Sequence, residues 1–505
     1  MLALVKETDL DWRVCSRARL SRDPRFDGKF FIAVRGSRVY CRSICPAPTA
    51  KEENCRYFAT AAAAAEAGYR PCLRCRPEAS PGTPAWAGTS ATVSRALRLI
   101  DEMGSEDGGM ETLAERLGVG SRHLRRLFLR HLGATPKSVV QTRRMDFAKK
   151  LIDETNLPMT ELAIAAGFGS VRRFNAGIRK TYHRTPTQIR AIARQRVALP
   201  ENEYEFRLRF RPPYSWEGML AFLADHATPG VETIENGVYR RTIALNRKDG
   251  SFEVSLDESN LALRARIRFG DPRALYFIVE RIRALFDLNA DWAKIARSLV
   301  ADPMLAKRLK ADPGLRVPGC WNGFELTVRA IIGRDVGSQD ARARAACTTC
   351  AFGRPFPSGN GVTHLFPEPG TLAGADLAGI GLPKARADTI RALARAVCDG
   401  DIAFEGVADS DAFLARLREI PGIDKWTAQY VAMRALGEPD AFPFGGQDLK
   451  RALALNDTSG LDRRTERWRP WRAYAAMYLW NDADMDVARR DGQESTRGAV
   501  RKRSA

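Results

Sequence analysis

Four cysteines near the N-terminus constrain this chain more than any other feature. Cys41 and Cys45 in CRSICP form a C-x3-C pair, Cys72 and Cys75 in RPCLRCRP form a C-x2-C pair, and 26 residues separate the two. Two short thiol pairs at this separation predict a segment that folds back to close a tetrahedral site, and Zn2+ is the ion such a set favours. Zinc keeps a bound sulfur deprotonated at neutral pH, so the same site supplies a soft nucleophile. Cys15 and Cys55 lie outside the pattern and are expected to pack. Cys347 and Cys350 form a C-x2-C with no second pair, and they too read as packing. The scattered remaining cysteines and the absence of a secretory segment argue against a disulfide framework.

At 505 residues, 45% of them hydrophobic, the chain predicts three or four domains with real cores. A formal net charge of +20 calls for a polyanionic partner, and nucleic acid fits best. A membrane surface is discounted, because no apolar run reaches spanning length and no lipidation motif occurs. The expected location is the cytoplasm, in association with the nucleoid. Punctuation divides the chain into 1–80, a Pro/Gly/Ala/Ser-rich linker 81–91, a helical unit 92–196, and a unit beginning at 204. That last unit opens with strand-like segments at 205–211, 238–245, 251–256 and 261–269, and turns helical from Asp271. The tail 488–505 is polar and basic and reads as disordered.

Residues 94–192 carry two helix-turn-helix patterns. In METLAERLGVGSRHLRRLFLRHLG a helix LAERLGV turns at Gly118–Gly120, and a basic helix starts at Ser121, with that serine as its cap. In MTELAIAAGFGSVRRFNAGIRKTYHRTP the turn is Gly167–Gly169 and a basic helix begins at Ser170. TPKSVVQTRRMDFAKKLIDETNLP reads as one connecting helix. The pair resembles an AraC-type DNA-binding domain. Recognition helices place residues near their N-termini against base edges, which points to Arg122, His123 and Arg125 in the first and Arg172, Arg173 and Asn175 in the second. Arg126, Arg130, Arg179 and Lys180 are expected on phosphates. Leu124, Leu127, Phe128, Phe174 and Ile178 are expected in the core.

The stretch from DPRFDGKFF to RPCLRCRPE, within residues 9–79, resembles the N-terminal domain of the Ada family. The resemblance implies that Cys41, Cys45, Cys72 and Cys75 hold Zn2+. It also implies that Cys41 irreversibly accepts a methyl group from a methylated DNA phosphate. Methylation would remove one negative charge from the site and favour binding to the DNA backbone. No PCHR-like alkylguanine acceptor motif occurs, so direct repair of that lesion is not expected.

Residues 204–485, through RFRPPYSWEGMLAFLADHATPGVETIENGVYRRTIAL, LRVPGCWNGFELTVRAIIG, IPGIDKWTAQYVAMRALG and WRPWRAYAAMYLW, resemble the 3-methyladenine DNA glycosylase II family. The resemblance implies an antiparallel β/α part over 204–275 and a helix-hairpin-helix core over 276–487. The whole chain is therefore expected to be multidomain. A small α/β four-cysteine zinc domain leads, an all-α double helix-turn-helix domain follows, and an α+β glycosylase domain ends it.

The turn PGID, with Gly422, would hold a DNA phosphate by its backbone amides. Trp426, Tyr430 and Trp480 match the family's aromatic base cleft, where electron-rich rings suit a cationic alkylated purine. Trp426 stands where bifunctional glycosylases carry a Schiff-base lysine, which favours simple hydrolysis, although Lys425 is adjacent.

The chain departs from this family at the catalytic carboxylate. Counting 25 residues on from Pro421 lands on Gly446, followed by Gln447, with Asp448 two positions beyond the expected site. A glycosylase needs a carboxylate against the oxocarbenium charge. Two readings stay open: either Asp448 takes over, or the domain binds damaged DNA without excising the base. Asp440 is a poorer candidate. Asp335, in the wedge segment IIGRDVGS, stands where an apolar side chain would fill the base stack, and Asp424 replaces the hairpin's second glycine. The expected partners are alkylated and promoter double-stranded DNA and RNA polymerase, with no membrane.

Overall fold

The computed structural model describes residues 11–81, 91–103, 110–192, 199–357, 360–407, 409–443 and 461–481. The linker stretch 82–90, the positions Gly446, Gln447 and Asp448, and the tail from 482 lie outside the described residues.

The N-terminal part is built on a four-stranded sheet ordered β3-β1-β2-β4, with β1 Phe31–Val34, β2 Val39–Cys41, β3 Cys55–Phe58 and β4 Arg70–Pro71. Helix Ala61–Glu66 covers one face, and Thr60 caps it by accepting the Ala63 amide at 3.0 Å. Just before the linker stretch a 3-10 turn, Pro77–Ala79, packs on the long helix Pro136–Glu154.

Six helices follow the same rhythm twice around that long helix. Met110–Arg116 and Ser121–Leu132 precede it, and Met159–Ala165 and Val171–Tyr182 follow, with Ala91–Met103 and Pro186–Ile192 outside them. Gly118 and Gly167 both adopt positive φ (64° and 75°) at the two turns, as the sequence requires. The first helix of the first pair is Met110–Arg116, three residues upstream of the LAERLGV expected from sequence. Ser121 does not cap the basic helix: it is the first helical residue, and Gly120 is the N-cap with no side-chain bond. Ser170 does cap its helix, accepting the Arg173 amide at 3.2 Å. Leu124, Phe128, Phe174 and Ile178 are buried as expected, while Leu127 is half-buried.

The C-terminal part opens with a five-stranded antiparallel sheet ordered β5-β9-β8-β7-β6. Its strands are β5 Glu203–Arg209, β6 Glu232–Glu235, β7 Val238–Leu245, β8 Lys248–Asp257 and β9 Ala262–Phe269. Alternation in β5 turns Tyr204, Phe206 and Leu208 inward. The sequence reading missed β6. The Asn236-Gly237 pair, both at positive φ, is the tight hairpin turn that pairs β6 with β7.

Helices from Leu275 onward form the remainder, including the hairpin pair Ser410–Glu419 and Lys425–Arg434 and a helix over 472–481. Cys347 and Cys350 lie exposed on helix Ser338–Phe352, so the expectation that they pack is wrong. Among the described residues, no helix is long and apolar enough to cross a membrane.

The parts share cores and bonds. Phe147 of the long helix lies 6.5 Å from Phe206 of β5 and 5.0 Å from Tyr276, ring to ring. Lys150 donates to the Arg207 carbonyl at 2.7 Å. Arg211, 2% exposed, donates to the carbonyls of Asp27 (2.8 Å), Asn289 (2.8 Å) and Pro81 (3.2 Å), which ties the N-terminal part to the C-terminal one. Gly28 has to be glycine at this junction, because a Cβ there would stand 2.2 Å from the Pro81 carbonyl oxygen.

Candidate metal centre and DNA-facing sites

Strand pairing assembles the thiol cluster. β2 runs antiparallel to β1, with Ile32 opposite Cys41, and parallel to β4, with Tyr40 opposite Pro71. The next residue on each parallel strand is a cysteine, so Cys41 and Cys72 emerge side by side, and the Cys72 amide donates to Tyr40 O at 3.0 Å. Turns bring in the other two: the Cys45 amide donates to Arg42 O at 3.2 Å, and Cys75 follows Cys72 by three residues. The four Sγ atoms all lie within 4.8 Å of one another.

The donor set fits a thiophilic dication. Sulfur–sulfur hydrogen bonds pull Cys45 down to about 7 and Cys72 further, and push Cys41 and Cys75 up. Four crowded thiols can carry only part of the negative charge unless a cation balances them. Zn2+, when bound, holds all four as thiolates. Cys72 and Cys75 are buried, whereas Cys41 and Cys45 are half-buried, so the CRSIC segment is the less enclosed side of the cluster.

Arg42 braces the cluster from behind. Its amide donates to Cys75 Sγ at 3.4 Å, its guanidinium donates to the Cys75 carbonyl at 2.9 Å, and its Nε bonds Asp27 at 2.7 Å. Arg42 and Asp27 are 2% and 4% exposed. Sequence reasoning missed this pair, because no local spacing links positions 27 and 42. Cys15 is buried as expected, and Cys55 is half-buried with a bond to Lys51 O.

Both basic helices present their polar faces outward. Arg122, His123, Arg125, Arg126 and Arg130 are exposed on the first, and Arg172, Arg173, Arg179 and Lys180 on the second, while Asn175 is half-buried. Arg126 and His123 Nδ1 are 2.9 Å apart, so these two side chains hold each other one turn apart. Both helices dock on the N-terminal part. Thr60 Oγ1 donates to Leu132 O at 2.9 Å, and helix Val171–Tyr182 packs against β4, the strand that leads into Cys72.

In the C-terminal part, helix Lys425–Arg434 places Trp426 and Tyr430 one turn apart. Their rings stack at 5.1 Å with planes 10° apart, and Trp480 from helix 472–481 lies 6.3 Å from Tyr430 at 55°. The rings form an angled aromatic wall. Phe222 stacks on Trp480 at 6.5 Å, an aromatic that no local spacing connects to the other three. Arg434 donates to the Tyr430 hydroxyl at 2.6 Å. Below this wall lies a buried ionic network: Arg241 bonds Glu325 at 2.7 Å and Arg329 bonds Glu232 at 2.8 Å, and the Tyr239 hydroxyl donates to Glu232.

The hairpin turn is exposed at Pro421 and Gly422. Gly422 has φ 91°, and a Cβ there would stand 2.1 Å from Thr389 Oγ1, so both conformation and space demand glycine. Asp440 is bound by Arg472 at 2.9 Å and also by Arg469, which occupies it structurally. Asp335 is exposed at the tip of its loop in a left-handed conformation, φ 55°. Arg386 pins that loop by donating to the Arg334 carbonyl, and to Ile332 O in the preceding helix at 2.9 Å.

Three family models match: the metal-binding domain of Ada over 14–78, a helix-turn-helix domain over 113–192 and the AlkA N-terminal domain over 205–322. A Mycobacterium tuberculosis protein named "Probable bifunctional transcriptional activator/DNA repair enzyme AlkA" is 38% identical over 494 residues, 96% of this chain and 99% of that protein. The Escherichia coli DNA-3-methyladenine glycosylase 2 is 31% identical over 281 residues, 54% of this chain and 96% of that protein. The Escherichia coli bifunctional transcriptional activator/DNA repair enzyme Ada is 32% identical over 171 residues, 34% of this chain and 47% of that protein.

Proposed function

The chain belongs to the family of bifunctional transcriptional activators and DNA repair enzymes of the AlkA type, and from that premise we propose an alkylation-response protein with three linked activities. The N-terminal part, bounded at residue 80, takes a methyl group from a DNA methylphosphotriester. The part over 92–196 binds promoter DNA as a transcriptional activator, with RNA polymerase as the downstream partner. The part from 204, with its helical core from 276, hydrolyses the N-glycosidic bond of alkylated purines such as 3-methyladenine. The cytoplasm, at the nucleoid, is where these substrates are found.

One observation carries the reading: four cysteine sulfurs converge within 4.8 Å, and Cys41 is among the two residues of the cluster that are only half-buried. In the transfer, the Cys41 thiolate attacks the methyl carbon. An S–C bond forms, the bond between the methyl carbon and the phosphate oxygen breaks, and its electron pair leaves on that oxygen as the phosphodiester anion. No proton is needed at either end. The product at Cys41 is a neutral thioether, so the cluster becomes one charge less negative and repels DNA less. The docking of both basic helices on this part supports coupling between the methylated state and DNA binding. In the assay, labelled methyl moves from methylphosphotriester DNA to the wild-type protein and not to Cys41→Ser. Transfer that persists in Cys41→Ser would refute the acceptor assignment.

A second reading of the C-terminal part rests on Gly446 at the expected carboxylate position: a domain that binds damaged DNA without cutting. Base release from methylated duplex, compared with Asp448→Asn, separates the two. Release that vanishes in Asp448→Asn supports hydrolysis by a relocated carboxylate. No release from either protein supports the binding-only domain.

A further inference from the structure

The loop between helix Gly323–Gly333 and helix Ser338–Phe352 reaches the helical hairpin through Arg334. Arg334 forms an ion pair with Asp424, and its guanidinium lies 5.5 Å over the Trp426 ring. Asp424 is itself the N-cap of helix Lys425–Arg434, its Oδ1 accepting the Thr427 amide at 2.8 Å. Partial burial pushes this carboxyl up, but the Thr427 amide and Arg334 outweigh it and hold it below its ordinary value. The pair is therefore charged on both sides.

A second guanidinium closes the other end of the wall. Trp426, Tyr430 and Arg434 follow one another at single-turn spacing, and Arg434 lies 5.4 Å over the Tyr430 ring. The stacked rings thus carry an arginine at the N-terminal end and another at the C-terminal end. The face of an indole is where a cationic ring gains most, and on Trp426 the protein's own cation already lies over the ring. Among the described residues, nothing accepts from the buried Trp426 Nε1–H.

We propose that the Arg334–Asp424 pair tempers the preference of the aromatic cleft for cationic alkylated purines, so that neutral damaged purines compete for the same site. This rests on the reading of Trp426, Tyr430 and Trp480 as the base cleft. A positive base entering beside Arg334 meets a like charge within a few ångströms. A neutral base stacks on the same rings without that repulsion.

The test is binding, so it holds whether or not the domain cuts. Full-length protein is titrated with two duplexes that differ at one position. One carries 2′-fluoro-N7-methylguanosine, whose base is cationic and whose glycosidic bond is stabilised. The other carries neutral hypoxanthine on a 2′-fluoro sugar. The readout is the affinity ratio, cationic over neutral. Arg334→Gln is expected to raise that ratio by about three- to tenfold, because one positive charge leaves and Asp424 is freed. Asp424→Asn is expected to lower it, because Arg334 then keeps only Asp335, 3.5 Å from its Nε, as a counter-charge. A phosphate-contacting or merely structural Arg334 would weaken both duplexes together and leave the ratio unmoved, which overturns the proposal. Trp426→Ala tests the underlying reading. If it weakens neither duplex, the cleft assignment fails and the proposal with it. If it weakens both while Arg334→Gln and Asp424→Asn leave the ratio unchanged, only the charge preference fails.

Discussion

Single residues divide into those that local spacing reveals and those that only the folded chain brings together. Cys41, Cys45, Cys72 and Cys75 were readable because two short pairs imply a metal. Asp27 and Arg42 were not, since sheet pairing alone brings position 27 behind the cluster. Removing one partner of a buried ion pair leaves an uncompensated charge, so Asp27→Ala is expected to destabilise the N-terminal part by about 3 kcal/mol or more. Thermal unfolding and zinc content would both fall. A variant as stable and metal-replete as wild type would show that the pair is dispensable.

Asp287 offers a pH signature at the same scale. Burial pushes its carboxyl up to about 6, against the pull of Arg316 and the Tyr474 hydroxyl. Its folded value lies above the unfolded one, so its stabilising contribution is complete below about pH 4. That contribution disappears as pH rises through about 6. Urea titrations across pH 4 to 7 should show wild type losing on the order of 2 kcal/mol that Asp287→Asn does not lose. Equal slopes in the two proteins would contradict this.

At the scale of elements, periodicity and punctuation carried most of the fold. The connecting helix Pro136–Glu154, both glycine turns and the sheet strands β7 to β9 were legible from apolar spacing and turn residues. Errors fell where a cap or a short strand depends on geometry. Ser121 looked like a cap, yet the chain uses Gly120, whereas Ser170 is a true cap. Ser170→Ala is expected to cost about 1 kcal/mol and Ser121→Ala little, as judged by chemical denaturation. Equal losses in the two variants would contradict the assignment. β6 was missed because ETIE is too short to show alternation, although the following Asn-Gly signalled a hairpin. The aromatic wall was legible only through resemblance, because Trp426 and Tyr430 at helical spacing read otherwise as ordinary core.

For the whole molecule, the docking of the parts was invisible in the sequence. Arg211 satisfies three carbonyls at the junction of the N-terminal and C-terminal parts. Arg211→Ala leaves those oxygens buried without a donor, so calorimetry is expected to show the N-terminal and C-terminal parts unfolding further apart in temperature than in wild type. A single transition in that variant would mean the parts unfold together for other reasons. The net charge of +20 predicts steep salt dependence of DNA binding, and under the proposed function the contacts of both basic helices with the N-terminal part would carry a charge change at Cys41 to them.

The most direct test of this account is the affinity of the full-length protein for its promoter DNA, before and after stoichiometric methylation by methylphosphotriester DNA, at two salt concentrations. The account predicts several-fold tighter binding once Cys41 carries the methyl group. Unchanged affinity in a protein shown by mass spectrometry to be methylated at Cys41 would contradict it.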